Sequence, residues 1–163
     1  MHIGVVSDTH NNLTNIRNII KLFNNEKVNC VIHTGDITNE SSLESFSDLE
    51  CNLVGVYGNN DKFEPNLAET AKKNKFDFEN PPKVLIYAER KIAIFHEPDP
   101  IEDFLKKEKD VDIVLHGHTH RFREERVKNT LIFNPGESAG LFRGKNAIGL
   151  INLIDLSVKR VFF

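Results

Sequence analysis

Tryptophan is absent from the chain, methionine occurs once, cysteine occurs twice, and no stretch of 18 consecutive apolar residues is found. The missing apolar run excludes a membrane-spanning helix. Cys30 and Cys51 stand singly beside apolar segments, without the pairing or spacing of a disulfide scaffold or a zinc knuckle, and are read as buried free thiols. A basic excess is missing as well: 21 Lys and Arg against 24 Asp and Glu give a net charge of −3. That balance excludes a protein whose main task is coating nucleic acid, and no stable nucleic-acid partner is expected. The opening MHIGVVSDTH carries no basic leader, so a soluble, cytoplasmic protein without a membrane partner is expected. Internal repeats, low-complexity tracts and linker-like stretches are also lacking. The expectation is one domain over residues 1 to 163, long enough to bury roughly two thirds of its chain surface.

What is present is a series of short apolar runs. Ile3, Val5 and Val6 form the first, and Leu13, Ile16, Ile20 and Phe23 then fall three or four apart, which predicts an amphipathic helix over residues 12 to 25. A run over 28 to 33 precedes a second helix, with Ser41 and Glu44 as a capping box and Leu43, Phe46 and Leu49 facing inward. A third run covers 53 to 57. Strands alternating with helices predict parallel strands joined by right-handed crossovers.

Residues 84 to 87 and 92 to 95 read as a hairpin, followed by a helix with Asp99 as cap, Pro100 in the first turn, and Ile101, Phe104 and Leu105 buried. Strands are expected at 111 to 115, 121 to 127, 131 to 133, 147 to 154 and 158 to 163, the last one buried. This half is strand-rich and is expected to be more antiparallel. The fold class is therefore α/β, layered mixed sheets flanked by helices.

The residues that follow the apolar runs carry the chemistry. IGVV leads to SDTH, CVIH to TGD, LVGVY to GNND, IAIF to HE, and DIVL to HGHTH. In an open α/β sheet the carboxyl ends of parallel strands face one crevice, where ligands bind. Asp8, His10, Asp36, Asn59, His96, His118 and His120 would meet there. All are nitrogen or oxygen donors, a set suited to divalent manganese, iron, zinc or nickel rather than to a cysteine-zinc site. With one bridging carboxylate, seven side chains give four bonds to each of two ions, the arithmetic of a two-metal hydrolase.

Each motif alone has a plainer explanation, because Asp and Asn cap helices and stabilise turns and a single histidine after a strand is more often structural. Their coincidence at five strand ends is what points to metal. His2, His33 and His116 have no partner in the pattern and are read as core groups or as supports that orient ligands.

On these residues the chain resembles the calcineurin-like metallophosphoesterases. Their series is Asp-x-His, Gly-Asp, Gly-Asn, a solitary His and Gly-His-x-His. It is matched here by Asp8-Thr9-His10, Gly35-Asp36, Gly58-Asn59, His96 and Gly117-His118-Thr119-His120. The short length, the GNND variant and the turn at Asn134-Pro135-Gly136 resemble the small stand-alone phosphodiesterase branch, the YfcE type. The resemblance implies that Asp8, His10, Asp36 and His120 hold one ion, and that Asp36 bridges to a second completed by Asn59, His96 and His118. It further implies two divalent ions, manganese first with nickel, iron, zinc or magnesium as alternatives, and a bridging hydroxide that attacks phosphorus in line.

Two departures bear on mechanism. Larger relatives place a histidine after Gly-Asn, where it meets the phosphate and protonates the leaving group. Asn60 stands there in this chain, and a carboxamide can donate a hydrogen bond without delivering a proton. Asn60 is the candidate catalytic residue, and a preference for activated phosphodiesters follows. Glu97 stands where relatives have glycine and adds negative charge near the path of an anionic substrate. Arg121 is the candidate phosphate contact, against the plainer reading of a solvated strand face; Arg143 and Lys145 are further cations.

The leading expectation is a metal-dependent phosphodiesterase acting on a small-molecule diester. The alternatives are a non-catalytic interaction scaffold of the same fold, a phosphomonoesterase and a nuclease. Seven competent donors disfavour the scaffold. The pattern leaves open homo-oligomer formation.

Overall fold

The structure, a computed structural model, describes all 163 residues. Strand β1 (His2–Val6) leads through helix α1 (Leu13–Asn25) to β2 (Cys30–His33), and α2 (Glu40–Ser45) with a 3₁₀ turn at Phe46–Asp48 leads to β3 (Asn52–Val56). Helix α3 (Leu67–Lys73) and β4 (Asp77–Glu79) follow, then β5 (Lys83–Tyr87), β6 (Arg90–Ile94), α4 (Ile101–Lys107) and β7 (Ile113–Leu115). The chain finishes with β8 (Arg123–Val127), β9 (Thr130–Asn134), β10 (Ala147–Asn152) and β11 (Val158–Phe162).

These strands build two sheets, in the orders β11-β10-β1-β2-β3-β4 and β5-β6-β7-β9-β8. The period of two along each strand sends alternate residues to opposite faces. Ile3, Val5, Cys30, Ile32 and Val56 of the first sheet thus meet Ile92, Ile94, Ile113, Leu115, Leu131 and Phe133 of the second. The other face of the first sheet, through Val6, Val31 and Leu53, packs on Ile16, Ile19, Ile20 and Phe23 of α1 and on Leu43, Leu67 and Ala71. Ala93, Val114 and Ile132 cover Ile101 of α4. The layers therefore run helix, sheet, sheet, helix, and each fully buried aliphatic or phenyl side chain contributes about 1.5 to 3 kcal/mol.

The parallel series β1, β2, β3 agrees with the sequence reading and extends by one strand, because β4 also pairs in parallel with β3. Neither α3 nor β4 was expected. At seven and three residues both are too short for a periodicity to show. The second half of the chain is more antiparallel, as expected: β5/β6, β8/β9, β1/β10 and β10/β11 are antiparallel, and β7 pairs in parallel with β6 and β9.

Two caps differ as well. Asn39, not Ser41, caps α2 by accepting from Ser42 N–H, so the box with Glu44 is not formed. Asp99 lies outside α4, whose first N–H, on Ile101, is satisfied by the Pro98 carbonyl. The strands expected from 111 and 121 begin at Ile113 and Arg123. The final strand, expected buried, lies on the edge of its sheet and leaves Phe162 58% exposed. No helix is long and apolar enough to cross a membrane.

Candidate metal centre

Asp8 and His10 follow β1, Asp36 follows β2, Asn59 and Asn60 follow β3, His96 follows β6, and His118 and His120 follow β7. All these strand ends are brought to one place. Ligand atoms of Asp8, His10 and His120 lie within 4.8 Å of one another, and so do those of Asp8, Asp36 and His96. The two oxygens of Asp36 face different histidines, Oδ1 at 3.4 Å from His96 Nε2 and Oδ2 at 4.0 Å from His10 Nε2. Asn59 Oδ1 lies 2.9 Å from both His96 Nε2 and His118 Nδ1.

The backbone is bent to achieve this convergence. Asp8, His10, Asp36, His118 and His120 all adopt positive φ, between 46° and 67°, a region that costs residues with a Cβ and that concentrates at functional sites. The glycines of the motifs serve a second purpose, close approach. A Cβ on Gly58 would collide with Asp36 Oδ1, and one on Gly117 with Ser7 Oγ and Asp8 Oδ2. Gly58 and Gly117 are each required by the carboxylate they lie against.

Two imidazoles are locked from behind. His96 Nδ1–H donates to the Thr34 carbonyl at 2.8 Å, and His120 Nδ1–H donates to Glu137 Oε2 at 2.7 Å. Each bond fixes the ring so that Nε2 faces the cluster, which is how ligating histidines are oriented.

The electrostatics ask for positive charge. Burial raises Asp8 above the ordinary carboxylate range, with Ser7, His96 and His120 only partly opposing it. Burial also acts against ionised Asp36, but the hydrogen bond and charge of His96 and the donors of Asn60 outweigh it and hold that carboxyl well below its usual range. His96 in turn is raised, its burial overcome by Asp36. His10 Nε2 is a buried nitrogen without a hydrogen-bond partner, aimed at this carboxylate. An orphan imidazole nitrogen, two buried carboxylates and an all-nitrogen-and-oxygen donor set fit divalent cations.

Asn60 donates twice to Asp36, from its backbone N–H to Oδ1 and from Nδ2 to Oδ2. Arg121 is exposed, its backbone N–H bound to Thr119 Oγ1; Arg143 and Lys145 are exposed too. The neighbour Arg123 pairs with Glu125, the solvated arrangement considered for this face. Of the three histidines set aside, His33 and His116 are buried and His2 is exposed at the start of β1, away from any supporting role. His33 Nδ1 accepts from Gly35 N–H and its Nε2–H donates to Thr9 Oγ1, tying the first two ligand loops together. His116 Nδ1–H donates to the Gly117 carbonyl.

Two residues escaped the sequence reading. Asp61, 4% exposed, accepts from the backbone N–H groups of Asp36, Ile37, Thr38 and Gly58. Glu137, 2% exposed, holds His120 with one oxygen and Leu141 N–H with the other. The only available signal was an acid directly after the GNN triplet and another directly after Asn-Pro-Gly.

The sequence and the fold both have counterparts among known proteins. The model of the calcineurin-like phosphoesterase superfamily domain matches residues 1–155. The phosphodiesterase MJ0936 of Methanocaldococcus jannaschii is 36% identical over 156 residues, 93% of each chain. A solved structure of an archaeal phosphodiesterase superposes with a TM-score of 0.91 at 32% identity and full coverage of both chains. The phosphoesterase YfcE from E. coli shares the fold, with a TM-score of 0.69 at 19% identity over 99% of this chain and 98% of its own. The chain belongs to the calcineurin-like phosphoesterase superfamily.

Proposed function

We propose that the protein is a metal-dependent phosphodiesterase with a dinuclear centre, acting on a small-molecule phosphodiester. The observation that carries this reading is the convergence of seven donor side chains from five strand ends, with His96 and His120 oriented from behind. Asp8, His10, Asp36 and His120 would hold one ion, and Asp36, Asn59, His96 and His118 the other. The reach of Asp36 toward both His96 and His10 supports its role as the shared ligand. Manganese leads among the candidate ions, followed by nickel, iron, zinc and magnesium. Such a pair supplies, when bound, a hydroxide nucleophile near neutral pH and neutralises charge at phosphorus.

The chain's own residues do the remaining work. The Thr34 carbonyl and Glu137 keep two imidazoles in register, and Asp61 anchors both the loop of Asp36 and that of Gly58. Asn60 presents amide N–H donors beside Asp36 and would bind a phosphoryl oxygen without delivering a proton. Arg121 stands beside the last ligand as an exposed cation for the substrate anion. The complete donor set is what favours an enzyme over a scaffold of this fold.

The test is hydrolysis of bis(p-nitrophenyl) phosphate by metal-stripped protein titrated with Mn²⁺, Ni²⁺, Mg²⁺ and Zn²⁺, beside p-nitrophenyl phosphate and a His118→Ala control. Metal-dependent diester cleavage, lost in the control together with bound metal, is expected. Preference for the monoester would overturn the diesterase, and absence of both cleavage and metal would favour the scaffold.

A further inference from the structure

We infer that the ligand cluster is flanked by two aromatic holds, Phe63 at one end and Phe142 at the other, and that the substrate is a phosphodiester carrying an aryl or heteroaryl group on each arm. This deepens the phosphodiesterase reading and rests on it.

Four phenylalanines are exposed: Phe63 at 93%, Phe142 and Phe162 at 58%, and Phe122 at 46%. Phe122 and Phe162 have a reason within the fold, since the Arg160 guanidinium lies over both rings, at 4.2 and 4.7 Å from their centroids. Phe63 and Phe142 are covered by neither a ring nor a guanidinium. Both belong to loops pinned to the cluster, one at each end of it.

Phe63 follows Asn60 by three residues, so its Cα lies within about 11 Å of the Asn60 Cα. Asn60 touches Asp36, and the Asp61 carboxylate ties this loop to that of Asp36 by accepting from the N–H groups of Asp36, Ile37 and Thr38 as well as from Gly58 N–H. The turn continues through Asp61 N–H to the Gly58 carbonyl and Glu64 N–H to the Asp61 carbonyl. The backbone of Phe63 is thereby fixed on the loop that carries Asn59 and Asn60.

Phe142 follows Leu141, whose N–H donates to the same Glu137 carboxylate that holds His120. Asn12 Nδ2–H donates to the Ala139 carbonyl, and Gly140 N–H to Asn146 Oδ1. The tip is a turn closed by Lys145 N–H on the Phe142 carbonyl, with Gly144 at φ +70° and nothing packed against it. Phe142 is thus registered on the His10 and His120 end, with Leu141 exposed beside it.

A phosphodiester has two organic arms leaving one phosphorus, whereas a monoester has one. Two uncovered aromatic side chains on opposite flanks match the former, and a ring on each arm would stack or meet edge to face with a phenyl group.

The test uses two diesters with poor leaving groups, dibenzyl phosphate and dimethyl phosphate, titrated calorimetrically into manganese-loaded protein. Wild type should bind dibenzyl phosphate at least about tenfold more tightly. Phe63→Ala and Phe142→Ala should each weaken dibenzyl phosphate about three- to tenfold, with dimethyl phosphate affinity and bound manganese unchanged; Ile86→Ala, exposed on β5, should change nothing. Equal affinity for the two diesters overturns the inference, as does an equal loss for both ligands in the variants. An effect of only one variant overturns the two-arm substrate. Because binding is read directly, failure to hydrolyse bis(p-nitrophenyl) phosphate would sink the phosphodiesterase reading while the titration still decides the aromatic holds.

Discussion

Glu137 Oε2 accepts the His120 Nδ1 proton at 2.7 Å across 17 residues of chain, and the carboxylate that does so is almost completely buried. Removing a carboxylate behind a ligating imidazole typically costs 10- to 100-fold in metal affinity. Glu137→Ala should therefore weaken manganese binding by about that factor, read by competition with a chelator, and Glu137→Gln should recover part of it. His116→Ala, whose ring hydrogen-bonds only to the neighbouring Gly117 carbonyl, should leave metal content near wild type. Loss of metal in that variant would show that His116 supports the centre.

Asp61 gathers four backbone N–H groups at 2.7 to 2.8 Å. Asp61→Ala would leave these donors without a partner in a closed part of the molecule, and buried unsatisfied groups are costly. A loss of about 3 to 5 kcal/mol is expected in urea unfolding, with a smaller loss for Asp61→Asn, which keeps one acceptor. A change under 1 kcal/mol would mean that water replaces the carboxylate.

Asn60 can donate but cannot protonate a departing alkoxide. Across phosphodiesters of rising leaving-group pKa, turnover should fall steeply, with aryl esters far ahead of alkyl esters. Asn60→His should flatten that dependence and raise alkyl turnover relative to aryl turnover. Equal wild-type rates on the two classes would remove the argument.

His33 is buried and neutral, and burial, with the nearby charge of His96, lowers it to about 3. The unfolded chain takes up this proton near pH 6.5 and the folded chain does not until far lower, so the unfolded state binds more protons below 6.5 and acid destabilises. The stability is fully present above about pH 6.5 and drains as pH falls toward 3. Between pH 7.5 and 5 this residue should account for a loss of about 2 kcal/mol. His33→Gln should show a correspondingly shallower pH dependence in denaturant titrations; an unchanged slope would assign the acid sensitivity elsewhere.

The candidate ligands were legible in the sequence because each sits directly after an apolar run and the ends of parallel strands within one sheet share an edge, but only the packing of the two sheets brings the edge of β1, β2 and β3 against that of β6 and β7. The alternation of Ile3, Val5 and Ile32 and the stripe of Ile16, Ile20 and Phe23 similarly determine which faces are buried, since that depends only on the period of strand or helix. Caps were less legible: Asn39 and Ser41 are equally good capping residues, and only the path of the chain decides which N–H groups are free.

Asp61 and Glu137 were visible in the sequence only as acids after the GNN triplet and after Asn-Pro-Gly, with nothing to show what they hold. A carboxylate's role is set by the donors around it, and theirs come from residues 36 to 38 and from residue 120, brought close only when the two sheets assemble. The sequence by itself determined the chemical kinds of the donors and their places at strand ends, through local periodicity. The tertiary structure decided which acids hold those donors in place and which phenylalanines stay uncovered, because both depend on contacts between distant segments.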